Sequence, residues 1–385
     1  MPATERDAEE LLSELVKIES VTPWLIPDGS GEADITRFMA GWLADLPVEV
    51  TLDEVEAGRP NLIARLSGSG GGPTLCLNAH ADTVGFANWR DRALVPRRDG
   101  DRLYGLGAAD DKSGCAVALL ALRTLVESGR KLRGDLLVAC TVDEEGISIG
   151  TEDLVRRHHM DAAIVVEPDA LPRVVVEHQG FGWIDVIVHG RPAHGSAPEQ
   201  GIDAIVHMAE VVMRLDRHDR DVFAANPDRM NGRTVFHTGT IGGGTDYATY
   251  PGRAVLGIEI GTQPGERLAD RVREIEAVFE EIRRERPDFR GEVDVKLERE
   301  PFRAEGHEEL WSALDKATWQ VLGRPPEAVG MNAWADSALM QAAGIPTLMF
   351  GPLGGNFHAP DEWVSIPEVV QAAEIVERAT AEFLG

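Results

Sequence analysis

The chain has 385 residues, 43% of them hydrophobic, with 65 acidic against 38 basic side chains and a formal net charge of −27. That length exceeds one ordinary domain and predicts two, and the charge excludes nucleic acid and anionic membranes as natural partners. No apolar run approaches the ~20 residues of a membrane helix, and no basic segment leads into an apolar one as in a signal peptide, so a cytoplasmic protein is expected.

Thr4 with Asp7 reads as the start of an amphipathic helix, with Leu11, Leu12, Leu15 and Ile18 at helical spacing. Residues 62–66 and 74–78 read as strands on either side of a short Gly/Ser-rich turn. A helix over 113–127 and buried strands over 136–141 and 162–166 follow. Strands alternating with helices predict a layered α/β domain with a mostly parallel central sheet. Cys76, Cys115 and Cys140 lie in these apolar segments without Cys-x-x-Cys spacing, as buried free thiols of a reducing compartment would.

The pattern then changes. A strand over 181–189, a helix over 202–215, strands over 234–241 and 254–260, a helix over 267–284 and a strand over 293–298 give the order β-α-β-β-α-β. That is the ferredoxin-like α+β unit. The α/β character resumes with helices over 310–322 and 337–343, a strand over 347–350 and a last helix opened by Pro367. The expected organisation is a split α/β domain over 1–177 and 299–385, interrupted by an inserted α+β domain over 178–298.

Chemistry-bearing residues collect just after predicted strand ends, where open α/β sheets bind ligands. His80 and Asp82 follow the strand 74–78. Residues i and i+2 of an extended chain share a side, so His80 can ligate a metal while Asp82 holds its other ring nitrogen. Asp110 lies in a Gly-rich turn before a helix. Three readings stand there: a helix N-cap, a phosphate loop, or a carboxylate bridging two cations. The spacing is not that of a Walker loop, and the pair Asp110-Asp111 would repel phosphate. Asp143-Glu144-Glu145 follow another buried strand, as a solvated acidic loop or as a metal ligand beside a base. Glu167 ends the strand 162–166, and His358 follows a later strand and turn. Two histidines and at least three carboxylates suit zinc, and also manganese or cobalt.

Six motifs in order resemble the metallopeptidase and deacylase family of acetylornithine deacetylase, succinyl-diaminopimelate desuccinylase and glutamate carboxypeptidase. They are His80-Ala-Asp82, Tyr104-Gly-Leu-Gly-Ala-Ala-Asp110-Asp111-Lys112, Asp143-Glu144-Glu145, Glu167-Pro168, Gly190-Arg-Pro-Ala-His194 and His358-Ala-Pro-Asp-Glu362. The resemblance runs almost end to end. It implies that 1–177 and 299–385 form the catalytic metal-binding domain and that 178–298 form a lid that also makes a homodimer. It implies two divalent ions, zinc first with manganese or cobalt as alternatives. Asp110 would bridge them, with His80 and Glu167 completing one site and Glu145 and His358 the other. Asp82 would orient His80, Glu144 would be the general base for a metal-activated water, and His194 would steady the oxyanion from the partner's lid. A cis peptide is expected after Asp110. The implied reaction is hydrolysis of the amide of a small N-acyl amino acid or similar small amide. A dipeptidase or carboxypeptidase is the alternative. A non-enzymatic metal-binding module is disfavoured, because every ligand and the base are present.

Three positions depart from the family pattern. Leu106 replaces the usual arginine of a Gly-Arg-Gly motif, Ala248-Thr-Tyr-Pro251 stands where an Asn-Val-Ile-Pro run is common, and Gly261 takes the place of an arginine. In relatives that Asn and Arg help to hold the substrate, often by its carboxylate. Either another group has taken over, with Arg233 and Arg253 the nearest candidates, or the substrate lacks a carboxylate there. The second, a less acidic substrate, is the expectation, with Tyr247, Tyr250, Trp334 and Phe357 as candidate aromatic surface.

Overall fold

The computed structural model describes residues 2–385. The chain forms two compact units. One comprises Met1–Val176, Ala304–Ala328 and Ala335–Gly385, and the other Glu177–Arg303 with Val329–Trp334. The segments 299–303 and 329–334 thus belong with the second unit, against the sequence-based limits of 178 and 298.

The first unit is built on a mixed sheet. Its strands lie in the order Glu49–Glu56, Arg59–Leu66, Asp135–Thr141, Thr74–His80, Ala162–Val165, Thr347–Met349 and Arg173–His178. The four central strands, from Asp135–Thr141 to Thr347–Met349, run parallel, and antiparallel strands flank them. Central strands are covered on both faces, so they read as continuous apolar runs. Thr74–His80 is buried from its second residue onward, and so is Asp135–Thr141. The helix Lys112–Ser128 is capped by Asp111, whose side chain accepts the Gly114 N–H, and ends at Gly129 in the left-handed conformation. The first helix, Glu5–Lys17, opens with the reciprocal Thr4–Asp7 capping box.

A second, small antiparallel sheet belongs to the same unit. It pairs Gly354–Gly355, Trp363–Ser365, Arg102–Tyr104 and Arg97–Asp99 in that order. The sequence reading did not find it, because strands of two or three residues are too short to show a period.

The second unit is a four-stranded antiparallel sheet in the order Phe236–Gly243, Arg253–Thr262, Gly180–His189 and Arg290–Arg299. With helices Ala204–His218 and Leu268–Glu285, this is the ferredoxin-like arrangement. Ile184, Val186 and Val188 alternate with outward residues along one strand, and Leu256, Ile258 and Ile260 along its neighbour. They meet Met208, Val211 and Leu215 from one helix and Ile275, Phe279 and Ile282 from the other, so a period of two packs on a period of 3.6. Asp203 caps the first of these helices by accepting the Ile205 and Val206 N–H groups, which sets its start two residues after the expected 202. Among the described residues, no helix is long and apolar enough to cross a membrane.

Candidate functional site

The register of the parallel strands brings the first candidates together. Asn78 lies opposite both Ala139 and Val165. Two residues further on, the three chains reach His80, Thr141 and Glu167, so their C-terminal ends share one edge of the sheet. His80 is buried, with Nε2 2.9 Å from Asp110 Oδ1 and 3.7 Å from Glu167 Oε1. Ligand atoms of His80, Asp110 and Glu167 all lie within 4.8 Å of one another. Glu144 Oε2 stands 4.0 Å from the same His80 nitrogen.

The small sheet brings in the remaining pair. Trp363 lies opposite Tyr104 and Val364 opposite Leu103, which sets the loop 356–362 against the turn 105–110. His358 has a left-handed backbone, φ +57°, a sparsely populated state for a residue with a Cβ. Its Nε2 is 3.0 Å from Glu145 Oε1 and 3.4 Å from Asp110 Oδ2. Asp110, Glu145 and His358 form a second group with ligand atoms within 4.8 Å of each other. Asp110 thus belongs to both groups, one carboxylate oxygen toward each histidine. The peptide from Asp110 to Asp111 is cis, as the resemblance leads one to expect.

Asp82 is fully buried and contributes in two ways. Its backbone carbonyl lies 3.2 Å from His80 Nδ1, and its carboxylate oxygen 3.5 Å from the same nitrogen. The carboxylate itself accepts the N–H groups of Glu144 and Glu145, at 3.0 and 3.1 Å. It therefore orders the acidic turn as well as the imidazole.

Three buried residues near the site went unassigned in the sequence. Glu362 closes the last motif, and its carboxylate accepts the N–H groups of Gly107, Ala109 and Asp110. Asp336, at the start of the helix Ser337–Ala342, accepts the Thr151 hydroxyl. Burial pushes its carboxyl up to about 6. Asp143 carries a left-handed backbone, φ +69°, and a fully buried carboxylate. Asp143 and Glu362 fall inside motifs and Asp336 in none, but the role of each is hidden in the sequence because its main partner is distant in the chain or is backbone.

The electrostatics favour cations. Burial, and then repulsion from neighbouring acids, lifts the Glu144, Glu145 and Glu167 carboxyls above the usual range. Burial opposes a charge on His80, but Glu167, Asp110 and Asp82 outweigh it and raise the imidazole well above its ordinary value. Hydrogen bonds that His358 donates to the Asp110 and Glu145 carboxylates push it up to about 11. Burial works against ionisation of Asp110, yet His358 and His80 hold it below the usual carboxylate range. Four carboxyl groups beside two imidazoles carry an excess of negative charge that bound protons or cations must balance. Mixed imidazole and carboxylate donors on strand ends fit divalent transition ions.

His194 is carried by the second unit, not by the one that holds the other seven candidates. It is exposed, Nδ1 lies 2.8 Å from Ser196 Oγ, and its backbone bridges to Thr249. Ala248, in the same loop, uses its N–H on Asp246 Oδ1 at 2.7 Å. Leu106 is buried in an apolar cluster with Val21, Trp89 and Ala93, so it is packing rather than a substrate contact.

Comparison with known proteins agrees with this architecture. The model of peptidase family M20/M25/M40 matches residues 76–382. An acetylornithine deacetylase from Myxococcus xanthus is 30% identical over 349 residues, 87% of each chain. The N-formyl-4-amino-5-aminomethyl-2-methylpyrimidine deformylase of Bacillus subtilis is 26% identical over 414 residues, spanning 97% of this chain and 95% of that protein. Among solved structures, a tripeptidase from Staphylococcus aureus shares the fold with a TM-score of 0.82, at 23% identity over 99% of both chains. The chain belongs to peptidase family M20/M25/M40 and is a hydrolase of amide bonds.

Proposed function

We propose that the two side-chain groups hold one divalent ion each, share Asp110, and cleave the amide of a small N-acyl amino acid or similar small amide. The observation that carries this reading is Asp110 itself, with Oδ1 2.9 Å from His80 Nε2 and Oδ2 3.4 Å from His358 Nε2. His80 and Glu167 would complete one site, and Glu145 and His358 the other. Bound there, such ions polarise a carbonyl and acidify a water; zinc suits the donor set best, and manganese or cobalt also fit it.

The chain's own groups supply the rest. Glu144 belongs to neither ligand group, and burial favours a proton on its carboxyl. In its ionised form it is the base that takes a proton from the attacking water and passes it to the leaving amine. Asp82 fixes both the His80 ring and the turn that carries Glu144. An acyl substrate is preferred over a peptide because the names of the deacetylase and the deformylase both describe loss of an acyl group, whereas the tripeptidase supports the fold alone. The test is a panel of N-acyl amino acids and dipeptides with zinc, manganese and cobalt, beside metal analysis of the wild type and Asp110→Ala. Two ions in the wild type, their loss in Asp110→Ala and turnover of acyl substrates are expected. Full retention of both ions in the variant, or turnover of dipeptides alone, would reject this reading.

The second unit is assigned as a lid that also makes a homodimer, with His194 steadying the oxyanion of the opposite subunit. Its exposure and its position in a loop of the second unit support this. Mixing inactive His194→Ala with inactive Glu144→Gln subunits should restore part of the activity. No restoration despite proven subunit exchange counts against action in trans. Three free, buried thiols support a reducing, cytoplasmic setting.

A further inference from the structure

The turn that carries Glu144 and Glu145 is held from two sides. Asp82 takes the N–H groups of both glutamates. On the other side stands the buried Asp143 carboxylate. Its Oδ2 accepts the Ile147 N–H at 3.1 Å, and its Oδ1 accepts the Thr22 hydroxyl and Arg59 Nη2, both at 2.7 Å. Arg59 opens the strand Arg59–Leu66 and is itself buried. The same guanidinium donates to both oxygens of the fully buried Glu32, from Nε at 2.9 Å and from Nη2 at 2.6 Å, and to Thr22 Oγ1 at 3.2 Å.

One planar fork therefore joins Thr22, Glu32 and the acidic turn, and its Nη1 also donates to Glu56 Oε2 at 3.4 Å. Burial works against a charge on Arg59, but its hydrogen bonds to Glu32 and Asp143 more than compensate. Only a guanidinium has this reach. A lysine ammonium is a point donor and cannot serve two carboxylates in the same bidentate geometry.

We propose that Arg59 is a positioning residue for the turn 143–145, setting Glu144 for proton transfer and Glu145 for the ion it shares with Asp110 and His358. The inference rests on the two-ion reading above. Its signature is selectivity. Of the two ligand groups, only the one containing Glu145 draws a ligand from this turn, whereas His80, Asp110 and Glu167 come from elements that Arg59 does not bond. Loosening the turn weakens one ion and spares the other, while a loss of general stability affects both.

The test uses the full-length, metal-loaded protein, with Arg59→Lys and Thr22→Val beside the wild type. Each ion's affinity is measured by chelator competition, and kcat and KM on the best amide substrate. In Arg59→Lys one ion should bind about tenfold or more weaker, as outer partners of metal ligands typically require, with the other within about twofold. kcat should fall by about tenfold or more while KM changes by less than about threefold, because a misplaced base affects chemistry before binding. Thr22→Val removes one donor to Asp143 without removing a charge and should show the same selectivity at smaller size. Wild-type affinities for both ions in the variants, or equal weakening of both, overturn the proposal alone. If Arg59→Lys does not fold, the Thr22→Val result decides. Fewer than two ions in the wild type would overturn the two-ion reading and the proposal with it.

Discussion

The Glu362 carboxylate accepts the backbone N–H of Asp110 at 2.9 Å, so the last motif of the chain holds the main chain of the residue shared by both ligand groups. Gly107 and Ala109 donate to the same carboxylate at 2.9 and 2.8 Å. Burial and the Asp110 charge push the Glu362 carboxyl up to about 7, against the pull of these three donors. Glu362→Gln keeps one acceptor oxygen but turns an NH₂ group toward a backbone donor. At least one buried N–H then goes unmet, at a cost of about 1–3 kcal/mol. The melting temperature should fall, and both ions should weaken, because Asp110 serves both groups. Thermal unfolding and chelator titration measure this. Unchanged values in both would show that the contact is incidental.

Glu144→Gln should retain both ions and the fold, because Glu144 lies in neither ligand group. An amide cannot accept the proton, so kcat should fall by about 10²–10⁴-fold, the usual worth of general-base help. Steady-state kinetics on metal-saturated protein decides this. A kcat within a few-fold of wild type would remove Glu144 from the mechanism.

Some of this site was legible in the sequence for a physical reason. Central parallel strands are buried on both faces, so they stand out as apolar runs, and polar residues at their ends, such as His80 and Glu167, stand out against them. The long-range contacts that hold the surrounding turns in place were not legible. Arg59 and Asp143 lie 84 positions apart, and Glu362 and Asp110 lie 252 apart, with no local pattern that announces either pairing. The strands that bring Glu362 to its turn, Arg102–Tyr104 and Trp363–Ser365, are three residues each. The motif was visible, but the geometry that gives Glu362 its work was not. The edge strand Glu49–Glu56 was missed for a related reason: its residues are largely exposed and charged, and little in them says strand.

Metal binding should release protons at neutral pH. In the metal-free site His80, Glu145 and Glu167 are all raised, and His358 stands at about 11. Groups raised in this way hold protons that an ion must displace. Affinity should therefore rise with pH toward the alkaline side and fall as the medium is acidified. Calorimetric titration in two buffers of different ionisation enthalpy reads the number released directly. Zero protons released at pH 7 would mean that the ligand groups are already deprotonated without an ion.

The last expectation concerns the substrate. Burying a carboxylate needs a forked arginine or several fixed donors, since an unpaired charge is costly to desolvate. At Gly261 an added Cβ would come within 2.5 Å of Gln179 Oε1 and 3.1 Å of the Val235 nitrogen, so the backbone there has no room for a side chain. Gln179 is fixed in that space, accepting the Val235 N–H at 3.0 Å and donating to the Arg233 carbonyl at 2.7 Å. Arg233 is paired with Asp219, and the Ala248 N–H is taken by Asp246. The donors expected at these positions are thus absent or committed, which leaves Arg253 as the remaining substitute named by the sequence. Matched amides that differ only in a free carboxylate or its neutral amide should differ in kcat/KM by about tenfold or less. A preference for the acid of about a hundredfold, roughly 2.7 kcal/mol of transition-state binding, would show that a strong clamp exists. Loss of that preference in Arg253→Ala would then locate it.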